Sequence, residues 1–408
     1  MANKRSQKKQ VKQNIFQRIP LPYWIGGGVL LVALIVLLVV LLVPKKEDAP
    51  PATAGSFQEN LMFSHGLVAV KRDGKWGYLN QAGEWVIPAK YENAEAFQEN
   101  GLAAVQKDGK WGYINEKGEE TISCMYAYVD KFSHGLAPVQ IGGRWGYINE
   151  NGMNIIPSKY EYAGVFSDNG LALIRYNGFY GYINTEGVEV ITPTYDSGAA
   201  FTASNMALVS KNGLYGYLDD AGNATIPLNF DYLGPFVSGL APAKQGGSFG
   251  YIDNTGNFVI QPQYEHADAF SADGVAVVTV SGKYAYINTA GETITSELFQ
   301  SAGAFQNGFA VVKKDGKQGV LKKDGTYAIP LGDYVFPKPV SEGVLVYKDS
   351  SGLFGYMDTS GNILISAQFS AAESFRKDGF AAVKMDEKWG LADKNGKITL
   401  SPQYEDIK

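Results

Sequence analysis

A single cysteine, Cys124, stands among 408 residues, so no disulfide can form within the chain. A fold of this size buries enough apolar surface to do without one. With no second thiol to resolve it, Cys124 in "ISCMY" reads as an inert, partly buried side chain. Histidine is almost as scarce, at three: His65, His134 and His266. The first two occupy the same phase in "FSHG", where sister segments carry "QENG" or "SDNG". That phase is a turn position rather than a metal or catalytic one. The chain lacks a Walker-type glycine loop, an H-E-x-x-H helix and a cysteine metal cluster. The expectation is therefore a protein with no catalytic residue, no cofactor and no metal ligand, and not an enzyme.

Positive charge is short over most of the chain. Residues 1–43 hold six basic side chains (Lys4, Arg5, Lys8, Lys9, Lys12, Arg18) and no acid, so the remainder sets all 41 acids against 30 of the 36 bases. An acidic body excludes nucleic acid as a partner, since phosphate binding needs a basic footprint. Long apolar runs are also rare. The one present, "YWIGGGVLLVALIVLLVVLLV" at 23–43, has no charge and the length of a membrane-spanning helix. Tyr23 and Trp24 sit at its edge, where amphipathic rings favour the interface. The basic flank before it places residues 1–22 in the cytoplasm as a short tail. Residues 44–56, "PKKEDAPPATAGS", have linker composition. The rest, 57–408, is then extracytoplasmic, with no nucleic acid and the membrane itself as one partner.

What the chain has in abundance is glycine, 48 residues, with 25 tyrosines and 21 phenylalanines. This composition suits many short strands joined by tight turns. The stretch "DGKWGYLN" at 73–80 returns as "DGKWGYIN" at 108–115 and "GGRWGYIN" at 142–149. Extended, the repetition gives ten units opening at Phe63, Phe97, Phe132, Phe166, Phe201, Phe236, Phe270, Phe305, Val340 and Phe375, spaced by 34 or 35 residues. A period of this length marks a solenoid, propeller or similar array.

Each unit reads as three antiparallel strands. The first, such as "GLAAV" at 101–105, is continuously apolar and so buried on both faces. An Asp-Gly, Asn-Gly or Gly-Gly pair then makes a two-residue hairpin. The second strand is the WGYIN stretch, and N-x-x-G or D-x-x-G turns the chain again. The third strand ends on an apolar column (Ile87, Ile122, Ile156, Ile191, Ile226, Ile260, Ile329, Ile365 and Leu400, with Thr295 the exception), and proline often stops it. A loop then carries a second aromatic column running from Tyr91 to Tyr404. In the eighth unit, "LGDYVFPKPV", Tyr334 is shifted by one place.

Alternation along the WG strand places Trp76 and Tyr78 on one face and Gly77 and Leu79 on the other. The Trp position is aromatic in every unit but one, Gln318. Such uniformity points to core-facing bulk. The following glycine, replaced once by Ala285, reads as clearance for a neighbouring unit.

The G-K-W-G-Y-I-N pattern within a 35-residue unit resembles the bacterial WG-repeat family over residues 63–408. The resemblance implies a β-rich repeat module with a binding or scaffolding surface. The expected fold is all-β, a tandem array of ten three-stranded meanders following one transmembrane helix. Ten blades would make an unusually large ring, and the last unit reads as complete, so the expected geometry is an open superhelix, with a closed propeller-like ring as the alternative. The expected function is a membrane-anchored surface that binds an envelope glycan, peptide or protein. The alternative is an envelope carbohydrate-active enzyme, using the acidic column Glu92, Glu161, Asp196, Asp231, Glu265 and Glu405. That column reads first as a solvated turn position. The ligand-binding residues are not given by the sequence.

Overall fold

The computed structural model describes residues 61–408. The segments expected to form a cytoplasmic tail, a membrane span and a linker fall outside the described residues, among which no helix is long and apolar enough to cross a membrane. The described chain is all β, in ten small antiparallel sheets.

The sheets are the blades of a closed ten-bladed β-propeller, and this corrects the expected open superhelix. The closing contact is a strand of two residues, Asp406–Ile407, which pairs antiparallel with Leu67–Arg72 at the other end of the ring. It completes the first blade as the partner of Val70 and Lys71. The tail "EDIK", read as the end of a finished tenth unit, is thus the missing piece of blade 1.

A short strand of the same kind belongs to every described blade but the ninth, where an isolated bridge from Val335 to Lys348 takes its place, so the units have four strands and not three. In blade 2 they are a short strand Asn93–Ala94, a buried strand Leu102–Lys107, the WG strand Lys110–Asn115 and an edge strand Glu120–Tyr126. Eight of the ten described sheets have all four. The short strand follows directly on the edge strand of the preceding blade, so every unit contributes to two blades. The buried strands are apolar on both faces, as in Leu102 to Val105, because both faces meet a neighbouring blade.

The edge strand departs from the expected reading in a systematic way. It does not stop at the proline but runs through it to the second aromatic column, whose members close the strand instead of lying in a loop. A bulge makes this possible. Trp111 faces Tyr126 and Tyr113 faces Ile122, so the edge strand takes four residues over two of the WG strand. Proline is tolerated in the bulge because no ladder donor is needed there, and Pro88, Pro157 and Pro227 all lie exposed.

The bulge also reassigns the WG glycine. A Cβ on Gly112 would stand 2.5 Å from the carbonyl oxygen of Ile122 and 2.7 Å from the amide of Cys124, in its own blade. The glycine makes room for the bulged edge strand, not for a neighbouring blade. Blade 7 carries the exception, Ala285, and its edge strand is reduced to two isolated bridges, Tyr284 to Phe299 and Ile287 to Thr293.

Clearance between blades belongs to the glycine of the N-x-x-G turn. A Cβ on Gly118 would meet Ile87 of the preceding blade at 3.0 Å, and Gly152, Gly187 and Gly222 repeat the contact on Ile122, Ile156 and Ile191. Gly83 closes the series against Leu400. These glycines also hold a positive φ, 78° at Gly83 and Gly118.

The central packing residue is the tyrosine of WGY. Tyr78, Tyr113, Tyr147, Tyr182, Tyr251 and Tyr356 are fully buried. Each reaches into the next blade: Tyr147 Oη donates to the carbonyl of Gly164 at 2.7 Å, and seven others repeat the bond at the same 17-residue offset. The opening phenylalanine of the next unit packs on the same ring, as Phe166 does on Tyr147 with centroids 4.8 Å apart.

Candidate functional site

Cross-strand pairing aligns four residues in a row across the blades, beside the hairpin that joins the buried and WG strands. In blade 3 the row is Tyr128, Gln140, Trp145 and Tyr160, and in blade 4 it is Tyr162, Arg175, Tyr180 and Tyr195. Directly opposed residues of antiparallel strands share a face. The Trp position therefore lies at the hairpin end of each blade, and its burial varies. Trp76 and Phe249 are buried, Trp111, Trp145, Tyr180, Tyr215, Phe354 and Trp389 are half-buried, and Tyr284 is exposed. The expectation of uniform core-facing bulk holds for two members of the column only. The polar break, Gln318, accepts a hydrogen bond from the Phe336 amide at 2.7 Å.

The half-buried rings join those of the short strands into a ladder along the rim. Tyr128 stacks on Trp145 with centroids 6.4 Å apart and planes 24° from parallel. Trp145 meets Tyr162 at 6.5 Å, and Tyr162 meets Tyr180 at 6.5 Å. Ser197, hydrogen-bonded to Ser210, interrupts the series. A second run then follows through Tyr215, Tyr232, Phe249 and His266, with spacings of 6.2, 5.5 and 5.1 Å. Tyr128 is 60% exposed and Tyr232 38%. The sequence signal for the ladder was present but subtle: an aromatic two residues beyond the edge-strand aromatic, in the units that carry Tyr128, Tyr162 and Tyr232.

Polar groups flank the first run. The Arg175 guanidinium lies over the Tyr180 ring at 5.6 Å and stands 3.7 Å from Glu161. Arg144 approaches the same carboxylate at 3.5 Å. Glu161 also accepts from the Gly178 amide at 3.0 Å.

That last bond belongs to a series that accounts for the acidic column. Glu92 accepts from Gly109, Asp196 from Asn212, Asp231 from Gly246, Glu265 from Gly282 and Glu405 from Gly74, at 2.6 to 3.1 Å. Each carboxylate caps the hairpin between the buried and WG strands, whose turn residues hold left-handed backbone, such as Asp108 and Gly109 at φ 52° and 70°. These positions are structural turn caps rather than free solvated groups.

His65 and His134 occupy left-handed turn positions, φ 51° and 52°, as their phase indicates. His266 lies elsewhere, at the end of the aromatic ladder, 3.1 Å from Asp268. Burial raises the Cys124 thiol pKa, which disfavours the reactive thiolate. Among the described residues no group of acids, histidines or cysteine is arranged to hold a metal ion. Clefts of about 320 and 340 Å³ lie on blade 1, beside Trp85 and Pro88, and at the ring closure, beside Arg376 and Trp389.

A family model described as "WG containing repeat" matches residues 76–111, 111–145, 145–178, 180–215, 215–248, 249–284, 284–317, 354–389 and 389–408. No curated protein matches the sequence. Among solved structures the chain is similar to a eukaryotic initiation factor, at 11% identity and a TM-score of 0.48, covering 84% of this chain and 96% of that one. It is also similar to Hsv2p of Kluyveromyces lactis, at 9% identity and a TM-score of 0.32, covering 59% and 96%. A third is the extracellular domain of a putative hybrid two component system from B. thetaiotaomicron, at 10% identity and a TM-score of 0.27, covering 82% and 58%.

Proposed function

The chain belongs to the WG-containing repeat family, and from that premise we propose that it is a bacterial, membrane-anchored binding or scaffold ring displayed outside the cytoplasm. The observation that carries the binding role is the ladder of half-buried and exposed aromatics on the hairpin rim. Rings left partly in water, held in place by neighbours on both sides, offer a rigid surface with little ordering cost on association. The carboxylate column, the feature that suggested glycosidase chemistry, is engaged in capping turns, which favours binding over catalysis.

The anchor reading is supported by the uncharged run at 23–43 and its basic flank. The expected partners are the membrane, through that run, and an envelope glycan, peptide or protein, through the rim. Cell fractionation tests the location. The full chain should stay with membranes through a carbonate wash, and protease added to spheroplasts should cut the repeat region while sparing the tail. Release by carbonate, or full protection from external protease, would overturn the reading.

A further inference from the structure

We infer that the rim of blades 3 and 4 is a carbohydrate-binding strip that takes an uncharged polysaccharide chain across Tyr128, Trp145, Tyr162 and Tyr180. This names the ligand class of the binding role proposed above and rests on it.

Three observations select a sugar. The first is shape. The rings follow one another in steps of 6.4 to 6.5 Å, nearly parallel from Tyr128 to Trp145 and turned by 57° and 60° at the next two steps, so the strip twists along its length as a sugar chain does. A pyranose lays a flat face, lined by weakly positive C–H groups, over the negative face of an aromatic ring. The second is the exposed edge of the strip. Tyr128 is 60% exposed while its ring is braced on Trp145, so it offers a face without needing to be ordered.

The third observation is charge. Arg144 and Arg175 share Glu161 as partner, and the Asp130 carboxylate lies near Tyr162, whose pKa is raised by burial first and then by that charge, so two acids stand against these two arginines. The bonded arginines and Gln140 offer planar, paired donors and acceptors suited to vicinal hydroxyls. A nucleic acid strand would need a net positive groove beside its stacking rings, and an acidic polysaccharide likewise. The balance matches an uncharged chain of sugars.

The test uses the purified full chain, titrated calorimetrically with three probes: a neutral linear glucan, a polyuronic acid and an unfolded casein digest. Variants Tyr128→Ala and Tyr128→Phe are compared with the parent, and thermal melting verifies their folding. The expected result is binding of the neutral glucan alone, weakened about tenfold or more by Tyr128→Ala and retained by Tyr128→Phe, with unchanged melting. Glucan binding that Tyr128→Ala leaves intact overturns the location, while the wider binding role stands. Binding of the polyuronic acid or the digest in place of the glucan overturns the ligand class and again leaves the binding role standing. If the chain also fails the fractionation test and binds none of the three probes, both the inference and the proposed function fall.

Discussion

The tyrosine of each WGY carries two duties, and its hydroxyl can be removed without its ring. Tyr147→Phe keeps the contact with Phe166 and leaves the Gly164 carbonyl buried without its donor. The expected cost is about 1–3 kcal/mol, read as a lowered midpoint of urea unfolding. Val320 and Leu391 stand at the same place in blades 8 and 10, where the tie is absent by sequence. Acid sensitivity is a residue-scale property as well. Asp219, Asp253 and Asp358 at the D-x-x-G turns have pKa values lowered by hydrogen bonds, first from the side chains of Asn223, Thr255 and Asn362 and then from turn amides. A carboxylate with a depressed native pKa stabilises the fold above its unfolded pKa, about 3.9, and that contribution is lost as pH falls through the native value. Urea midpoints should therefore be flat from pH 7 to 5 and drop below about pH 4. A variant with Asp253→Asn and Asp358→Asn should lose less between pH 5 and 3 than the parent.

At the scale of the strand, the WG glycine and the bulge are one device. Gly112→Ala should force the edge strand Glu120–Tyr126 away from its blade, because the clash is with backbone that cannot rotate aside. The expected cost is roughly 1–3 kcal/mol, with faster amide exchange confined to residues 120–126. Blade 7, which carries Ala285 and also Thr295 in the apolar column, has two isolated bridges in place of that strand. How far the sequence speaks depends on the element. The buried strands, both hairpin turns and the shared face of Trp76 and Tyr78 follow from apolar runs, turn chemistry and period-two alternation, and the structure has them all. The bulge was hidden because proline ordinarily ends a strand, and only the partner strand shows why Pro88 does not. The two-residue short strands carry no periodicity at all. The aromatic ladder mixes residues from two strands per blade, so no single column in the repeat displays it.

Closure is a property of the whole ring. Blade 10 grips the far end of the described chain: Asp378 accepts from the amides of Met62 and Phe63 at 2.7 and 2.9 Å, and Arg376 donates to the Leu61 carbonyl. Beyond the closing strand, Lys408 lies over Trp76 and bonds Asn93 and Glu95. Removing residues 406–408 should leave blade 1 three-stranded and unpaired at Val70. The expected outcome is a lower melting temperature and selective proteolytic cutting in blade 1, read by mass spectrometry of the fragments. An unchanged melt and cutting spread evenly over all blades would show the seam to be dispensable.

The same seam sets a timetable. Gly74 and its cap Glu405 are 331 residues apart, yet they belong to one blade. A chain emerging from its amino end can finish blades 2 to 9 in order, each docking on the one before, while the first blade waits with the open edge of Leu67–Arg72 exposed. During that interval any Asp406–Ile407 strand, from its own chain or from another copy, can fill the gap. The seam is thus where a strand of a second copy could stand in for the chain's own, and size-exclusion chromatography of protein refolded at rising concentration would read the exchange.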